Sequence, residues 1–200
     1  MVASVNTMST QSRKYELKAR AESQKETRDR IARSAAELHE EVGVARTTVA
    51  EIARRAGVSR LTVYNHFPDL DVLLPACAAH YEGIHPRPVF DETLASPEPA
   101  DRVAGSLELL YAWYRETEPM FGKAFSDRAT VPELDRFLAG GVEQMAEDLV
   151  VRLEESLGKA TSDQRTMLRL AVDFWTWRRL TREGLDDRGA SRLMARMVVG

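Results

Sequence analysis

The chain has 200 residues, of which 44% are apolar, and its formal net charge at pH 7 is −3. This apolar content excludes a chain that is disordered throughout and suits one compact domain, or a small domain joined to a larger one. The single cysteine, Cys77, excludes an intrachain disulfide framework. Because no apolar run approaches a membrane-spanning length and the N-terminus has no apolar signal core, we expect a soluble, cytoplasmic protein without a membrane partner.

Charge is distributed unevenly along the chain. Residues 1–66 contain 12 Lys and Arg against 8 Asp and Glu, a net charge of +4, which leaves 16 against 23, a net charge of −7, for residues 67–200. The two parts therefore differ in sign. This asymmetry is typical of a basic nucleic-acid-binding module attached to an acidic body.

The first 22 residues show no apolar periodicity, and we expect them to form a flexible basic arm. A helix is predicted over residues 23–43, because Ile31 and Leu38 belong to one apolar face and Gly43 follows as a stop. The arm could follow the DNA backbone or minor groove, or have no role. Its basic residues are Arg13, Lys14, Lys18 and Arg20.

The following segment predicts two short helices around a tight turn. Thr48 and Glu51 have the spacing of a capping box, so a helix should begin there, and Gly57 supplies the left-handed conformation that ends it. Ser59 is a suitable N-cap for a second helix, which Pro68 must end after about two turns. This arrangement fits a DNA-binding helix-turn-helix, although the spacing alone fits a plain helical hairpin equally well.

The outward face of the second helix has an unusual composition. With Val63 and Phe67 turned towards the first helix, the other positions mix a cation, amide and hydroxyl groups, an apolar side chain and an aromatic ring. Arg pairs with guanine, Asn with adenine, and an apolar group meets the thymine methyl, whereas hydroxyl and imidazole groups suit phosphate oxygens. The free amides at Ser59 also suit a phosphate. The predicted DNA-facing residues of this helix are Arg60, Leu61, Thr62, Tyr64, Asn65 and His66.

The remainder of the sequence is predicted to be almost entirely helical. Asp69 caps a helix over residues 70–84, and the four prolines within residues 83–100 predict a loop. No alternating strand pattern is present. Further helices are predicted over residues 100–117, 119–129, 132–157, 162–183 and 190–199.

These features closely resemble the tetracycline-repressor (TetR) family of bacterial transcription regulators. The family pattern is a helix, then T-T/V-x-x-I-A-x-x-A-G-V-S and T-x-Y-x-H-F, and residues 27–74 contain all of it, as TTVAEIARRAGVS followed by TVYNHF. The rest of the chain is similar only in length and helical plan. The resemblance implies an all-α fold, with an N-terminal three-helix helix-turn-helix DNA-binding domain over residues 23–68 and a C-terminal helical ligand-binding and dimerisation domain over residues 69–200.

Matching positions in the family imply two groups of DNA contacts. The implied base-reading residues are Arg60, Leu61 and Asn65. The implied phosphate contacts are Thr48, Thr62, Tyr64 and His66. Leu70 stands where the family often has a lysine that meets a phosphate, so we expect that contact to be lost.

The predicted helix over residues 162–183 has two apolar faces, one with Leu168, Val172 and Trp175. Since both faces must be buried, one would join the chain's own core and the other a second copy, unless the helix is buried within one chain. The family resemblance favours a homodimer through the last two long helices. The predicted dimer residues are Leu170, Phe174, Trp177, Thr181, Leu193, Met194 and Met197.

Aromatic and methionine side chains are frequent between residues 111 and 175. They could line a cavity for a small hydrophobic or aromatic effector, although an ordinary core is the alternative for each of them. Trp113 and Met120 are two such residues. The predicted ligand-binding residues are Tyr111, Tyr114, Phe121, Phe125, Met145, Phe174 and Trp175.

The sequence thus predicts a repressor that binds double-stranded DNA at a palindromic operator as a homodimer and is released by a small-molecule effector. Release would follow movement of the helix after Asp69, in which Pro75 favours a kink. The alternative is an all-helical small-molecule-binding or structural protein without specific DNA binding.

Enzymatic and metal-binding readings find little support in the sequence. No P-loop, dinucleotide-binding or metalloprotease motif occurs, so we do not expect an enzyme. The only grouped ligand-type residues match no zinc signature, so we expect neither a metal nor a cofactor. This group is Cys77, His80, Glu82 and His85.

Overall fold

A computed structural model describes residues 5–158 and 160–200, with side chains from residue 15 onwards. Helices and connecting turns make up these residues, which contain no β-strand, so the predicted all-α class is confirmed. No helix in this part of the chain is long and apolar enough to cross a membrane. The helices are α1 (Val5–Val42), α2 (Val49–Ala56), α3 (Arg60–His66), α4 (Leu70–Glu82), α5 (Asp91–Leu94), α6 (Pro99–Asp127), α7 (Pro132–Leu138), a π-helical turn (Ala139–Glu143), α8 (Gln144–Leu157), α9 (Ser162–Val172), α10 (Phe174–Arg182) and α11 (Asp187–Val199).

The first helix is longer than the sequence predicted. Residues 5–22 of the expected arm are a continuation of α1, and residues 1–4 lie outside the described residues. The segment is rich in Lys, Glu, Ala and Arg, which extend a helix readily once the packed part has nucleated it. Tyr15 and Leu17 remain largely exposed. Over residues 15–22, whose side chains are described, the lack of apolar periodicity accompanies exposed side chains and does not mean that a helix is absent.

A small apolar core joins α1, α2, α3 and the first half of α4. It contains Ile31, Ala35 and Leu38 of α1 and Ile52 of α2, together with Val63 of α3, all nearly inaccessible to solvent. This core fixes the angle between α2 and α3, as expected for a helix-turn-helix unit. Its other members are Ala32, Ala36, Ala53, Ala56, Phe67, Leu73 and Cys77.

A second, larger core lies in the C-terminal body, where α6 packs against α11 and also contacts α1. Two tyrosines of α6 support this core. The hydroxyl of Tyr111 donates to the carbonyl oxygen of Ala171, and the hydroxyl of Tyr114 donates to that of Val172, each at 2.7 Å. These two bonds satisfy carbonyl groups at the C-terminal end of α9, which have no partner within the helix.

Residues that disfavour a regular helix have different effects at two places in the body. Pro119 lies inside a continuous α6, where the sequence predicted two separate helices. Although an internal proline costs about 3 kcal/mol, buried residues on both sides of it, such as Tyr114 and Ala124, hold the helix in the core. At Gly140 and Gly141 the predicted helix over residues 132–157 continues, but through the π-helical turn.

The predicted helix over residues 162–183 is wrong as a single helix, because it is broken at Asp173. The ψ angle of Asp173 is extended, at 131°, and its Oδ1 accepts a 2.7 Å bond from the amide of Thr176 that starts α10. The break changes which residues face inwards. Phe174 and Trp177, predicted to face a second copy, are only 2% and 1% exposed and belong to the chain's own core.

The other predicted dimer residues divide by exposure. Met194 is buried in the same core, and Thr181 and Leu193 are partly buried. Leu170 and Met197 remain 48% and 59% exposed. Of the seven predicted dimer residues, four are therefore accessible to a second chain. They are Leu170, Thr181, Leu193 and Met197.

Candidate functional site

The capping box predicted at the start of α2 is present. The hydroxyl oxygen of Thr48 accepts from the Glu51 amide at 3.2 Å, and Glu51 Oε2 accepts from the Thr48 amide at 3.1 Å. The Thr48 hydroxyl also donates to Glu51 at 2.7 Å, and this bond is the main reason that the pKa of Glu51 is lowered. At the other end, Gly57 adopts the left-handed conformation, with φ of 66°, that allows the sharp turn into α3.

The second helix of the unit, α3, is capped and oriented as predicted. Ser59 Oγ accepts a 3.0 Å bond from the amide of Thr62. Val63 and Phe67 are 1% and 3% exposed and anchor the helix against α1 and α2. The opposite side faces solvent, with Leu61 69% and Tyr64 52% exposed. The outward side of α3 is therefore accessible to another molecule.

The structure places seven of the eight predicted DNA-facing residues together on α3 and its N-cap. Arg60, Leu61, Tyr64 and Asn65 are exposed, and the others are at least partly accessible. Thr48 lies apart, at the start of α2, with its hydroxyl hydrogen already donated to Glu51. The seven residues that lie together are Ser59, Arg60, Leu61, Thr62, Tyr64, Asn65 and His66.

A residue that the sequence did not single out fixes the C-terminal end of α3. Arg28 of α1 donates from Nη1 to the carbonyl oxygen of His66 at 2.5 Å. Its guanidinium also lies 4.1 Å from the centre of the Phe67 ring, in cation–π contact. No local pattern distinguishes Arg28 from the other arginines of α1, so only the folded chain shows its role.

Leu70 explains the departure from the family pattern at its position. It is partly buried and packs against both the helix-turn-helix core and the core of the body. The preceding residue, Asp69, caps α4 through a 3.0 Å bond from the amide of Val72. A side chain at position 70 thus joins the two cores here instead of reaching outwards.

An apolar cavity of about 80 Å³ lies between the helix-turn-helix unit and the body. It is bounded by α1, α4, α6, α7 and the π-helical turn. Most of its wall is aliphatic or aromatic, and His39 of α1 is one of its few polar side chains. The lining residues are His39, Val44, Leu74, Cys77, Ala78, Tyr81, Glu82, Arg87, Trp113, Met120, Phe121, Ala124, Leu134, Phe137, Leu138, Gly141 and Val142.

Only Phe121 of the seven predicted ligand-binding residues lines this cavity, with the further candidates Trp113 and Met120. Tyr111 is fully buried, and Met145 borders a different groove. The remaining four line a groove on the other side of Val142, where their rings pack on one another. They are Tyr114, Phe125, Phe174 and Trp175. Aromatic residues that fill the core and aromatic residues that line a cavity have the same helical spacing. The sequence therefore could not show which of them line the cavity.

The predicted ligand-type group around Cys77 forms no metal cluster. No set of three or more His, Cys, Asp or Glu side chains in residues 5–158 and 160–200 is arranged to hold a metal ion. Burial instead raises the pKa of the Cys77 thiol to about 12, which keeps it protonated and apolar in character. His85 packs its ring on Tyr81, with centroids 4.7 Å apart.

The chain is similar to known regulators in both sequence and fold. Residues 31–77 match the family model described as bacterial regulatory proteins, tetR family. An uncharacterized HTH-type transcriptional regulator of Mycobacterium tuberculosis is 59% identical over 44 residues, which are 22% of this chain and 23% of the relative. The chain thus matches about a quarter of the length of that relative.

Solved structures extend the similarity across most of the chain. A structure from Rhodococcus sp. assigned to the TetR family has a TM-score of 0.58 at 20% identity and covers 87% of this chain and 97% of its own. RolR, solved in complex with its ligand resorcinol, has a TM-score of 0.51 at 28% identity, over 89% of this chain and 90% of its own. Residues 31–77 thus match the TetR family of bacterial regulatory proteins, and the helical fold of most of the chain is similar to that of solved regulators.

Proposed function

We propose that this protein is a cytoplasmic repressor that binds a palindromic operator as a homodimer and leaves it when a small aromatic or hydrophobic effector binds. The observation that carries the proposal is the outward face of α3. Its exposed side chains have the chemistry of base recognition, whereas its buried side chains, Val63 and Phe67, hold it at a fixed angle. A helix of this kind fits the major groove of B-DNA.

The roles of individual side chains follow from their chemistry. Arg60 would pair with a guanine, Asn65 with an adenine, and Leu61 would meet a thymine methyl group. Tyr64, Thr62 and His66 would bind phosphate oxygens and so fix the register, helped by the amides at the Ser59 cap. Thr48 would reach a phosphate only after its hydroxyl has turned away from Glu51.

A dimer would place two copies of α3 on successive turns of the groove, about 34 to 36 Å apart. The exposed side chains of Leu170 and Met197, with the partly buried Thr181 and Leu193, support an interface through α9, α10 and α11. Isolated exposed apolar residues are common on monomers, and the support therefore rests on their position in the family's dimerisation helices. The two copies would then read the two halves of a palindrome.

The cavity supports control by an effector. At about 80 Å³ it is smaller than the roughly 150 Å³ apolar cavity that accepts benzene in another protein. An aromatic ring would therefore push its walls apart, and one of those walls is α4, which follows directly after α3 and contains Pro75. RolR, with 28% identity, was solved with the aromatic diol resorcinol, which favours an effector of that size and type. Movement of α4 would change the separation of the two recognition helices and release the DNA.

The direct test is selection of bound duplexes from a random library with the full-length protein. The proposal predicts enrichment of one palindrome, and no enrichment with the double substitution Arg60→Ala and Asn65→Ala. Enrichment of no sequence by the unsubstituted protein would instead support the alternative, a helical small-molecule-binding or structural protein without specific DNA binding. Compounds that release the selected palindrome then identify the effector class.

A further inference from the structure

His39 is a polar side chain in an otherwise apolar setting. It lies on α1, the helix that also contains the core residues Ile31 and Leu38 of the helix-turn-helix unit. It lines the apolar cavity between that unit and the body. Only 3% of its surface is exposed. His39 is therefore part of a helix of the helix-turn-helix unit and also part of the cavity wall.

The buried imidazole of His39 is a hydrogen-bonding group in the apolar wall of this cavity, with one donor and one acceptor nitrogen when uncharged. Among the described residues, the hydroxyl of Tyr81, also in the cavity wall, is buried without a well-formed hydrogen bond, and its pKa is raised by burial and by the nearby Glu40 carboxylate. A ligand that brings its own hydrogen-bonding group could therefore bond to both side chains.

Charges around the cavity favour a neutral ligand. Burial lowers the pKa of His39 to about 4, although Asp127 acts in the opposite direction, so the ring is uncharged at neutral pH. The cation of Arg87 is already paired with Glu82, at 2.5 Å. An anion entering this apolar space would therefore find no free cation in the described wall and would lose its hydration. A neutral hydroxyl group can both donate to and accept from an imidazole.

The surroundings of His39 also connect it to the turn before α2. The carboxylate of Asp127, at the end of α6, accepts a 3.1 Å bond from the amide of Ala45. Gly43 lies so close that a Cβ there would be 2.4 Å from Asp127 Oδ2. The end of α6 thus holds the turn that follows α1, one helical turn beyond His39. A ligand that displaces His39 would therefore displace α1 next to the bond between Asp127 and Ala45.

We propose that His39 determines effector specificity by hydrogen bonding to a neutral hydroxyl group on an aromatic ring, and that this bond transmits binding directly into α1. The inference deepens the proposed function, because it assumes that the cavity between α1, α4, α6 and α7 is the effector site. It adds a route of communication from α1 to the helix-turn-helix unit, beside the movement of α4.

Phenol and toluene test the specificity, because they differ by one hydroxyl group and have nearly the same size. Their dissociation constants are measured by calorimetry on the full chain without DNA, for the unsubstituted protein, His39→Leu and His39→Gln. We expect the ratio of toluene to phenol dissociation constants to fall about fivefold to tenfold in His39→Leu, as for the loss of one buried hydrogen bond. His39→Gln, which keeps a donor and an acceptor, should restore part of the ratio.

Leu138→Met is the matched control, because it changes another cavity residue without changing its volume class. It should affect both probes alike. An unchanged ratio in a folded His39→Leu, or no binding of either probe at millimolar concentration, would overturn the proposal. Because the ratio is measured without DNA, this test of His39 does not depend on whether the protein binds an operator.

A second measurement addresses the transmission through α1. The selected operator is titrated with phenol at equal saturation of the unsubstituted protein and of His39→Leu. The proposal predicts less release of DNA from His39→Leu. Equal release would contradict the transmission through α1 and show that the hydrogen bond contributes to affinity alone. If no operator can be selected, the proposed function fails, and the ratio of the two dissociation constants still tests the role of His39.

Discussion

Under the proposed function, base recognition by α3 would depend most on Arg60, the one Lys or Arg among the outward residues of α3. We expect Arg60→Ala to weaken binding to the selected operator by about 1 to 3 kcal/mol and to relax the preference at one base pair. Tyr64→Phe, which removes a hydroxyl that we propose binds phosphate, should weaken all sequences alike. Binding titrations on the operator and on its single-base variants distinguish the two. Loss of affinity without any change in base preference in Arg60→Ala would assign that residue to the phosphates.

His39 also predicts an effect of pH on stability. Because burial lowers its pKa from 6.5 to about 4, the unfolded chain binds this proton more readily than the folded chain. The contribution of His39 to stability is therefore complete above about pH 7 and is lost as the pH falls from 6.5 towards 4. At about 1.4 kcal/mol for each pH unit, the loss should reach about 2 to 3 kcal/mol near pH 4.5.

Urea unfolding at pH 7 and pH 4.5 measures the loss of stability in the unsubstituted protein and in His39→Gln. The difference between the two losses is the part due to His39, because the other titrating groups are the same in both. The unsubstituted protein should lose about 2 to 3 kcal/mol more than His39→Gln over this range. Equal losses in both proteins would mean that the imidazole is not buried in its neutral form. His39→Gln is suited to the comparison because it keeps a polar amide and cannot titrate.

At the scale of elements, the cap of α3 makes a separate prediction. Ser59→Ala removes the bond to the amide of Thr62 and should lower the free energy of unfolding by about 1 kcal/mol. Ser162→Ala is a matched control, because that exposed serine occupies the first position of α9, where Thr161 provides the cap. Urea unfolding of both variants measures the difference. Equal stability of the two variants would contradict the assigned role of the Ser59 hydroxyl.

The elements that the sequence predicted well are those whose ends are defined by local chemistry. The capping box at Thr48, the left-handed Gly57 and the cap at Asp69 each act within four residues, and all three are present as expected. Elements that depend on distant contacts were predicted less well. Pro119 is kept inside a helix by packing from both sides, and the break at Asp173 has no strong local signal.

The same distinction applies within the candidate site. The residues of α3 could be predicted because one short helix brings them together. The cavity could not, because it is assembled from five separate elements, and its residues are spread over the sequence from His39 to Val142. Periodicity shows that a residue is buried, whereas only the packed chain shows whether it faces another side chain or a space.

At the scale of the whole molecule, the dimer proposal rests on surface residues of the last helices. We expect Leu170→Glu and Met197→Glu to shift the protein towards monomer, because each places a charge in an apolar interface. Val89→Glu is the control, since Val89 is 72% exposed in the loop before α5. Sedimentation at several concentrations measures the association. A monomeric unsubstituted protein would contradict the dimer, and a dimer that neither substitution affects would place the interface elsewhere.

The central claim is that α3 reads a palindromic operator in a dimer. It is tested most directly by the affinity and stoichiometry of the full-length protein on the selected palindrome and on a scrambled duplex, between about 50 and 200 mM salt. The account predicts two chains per palindrome, a steep decrease of affinity with salt, and a preference for the palindrome of at least about a thousandfold. Equal, weak binding to both duplexes at every salt concentration would contradict it.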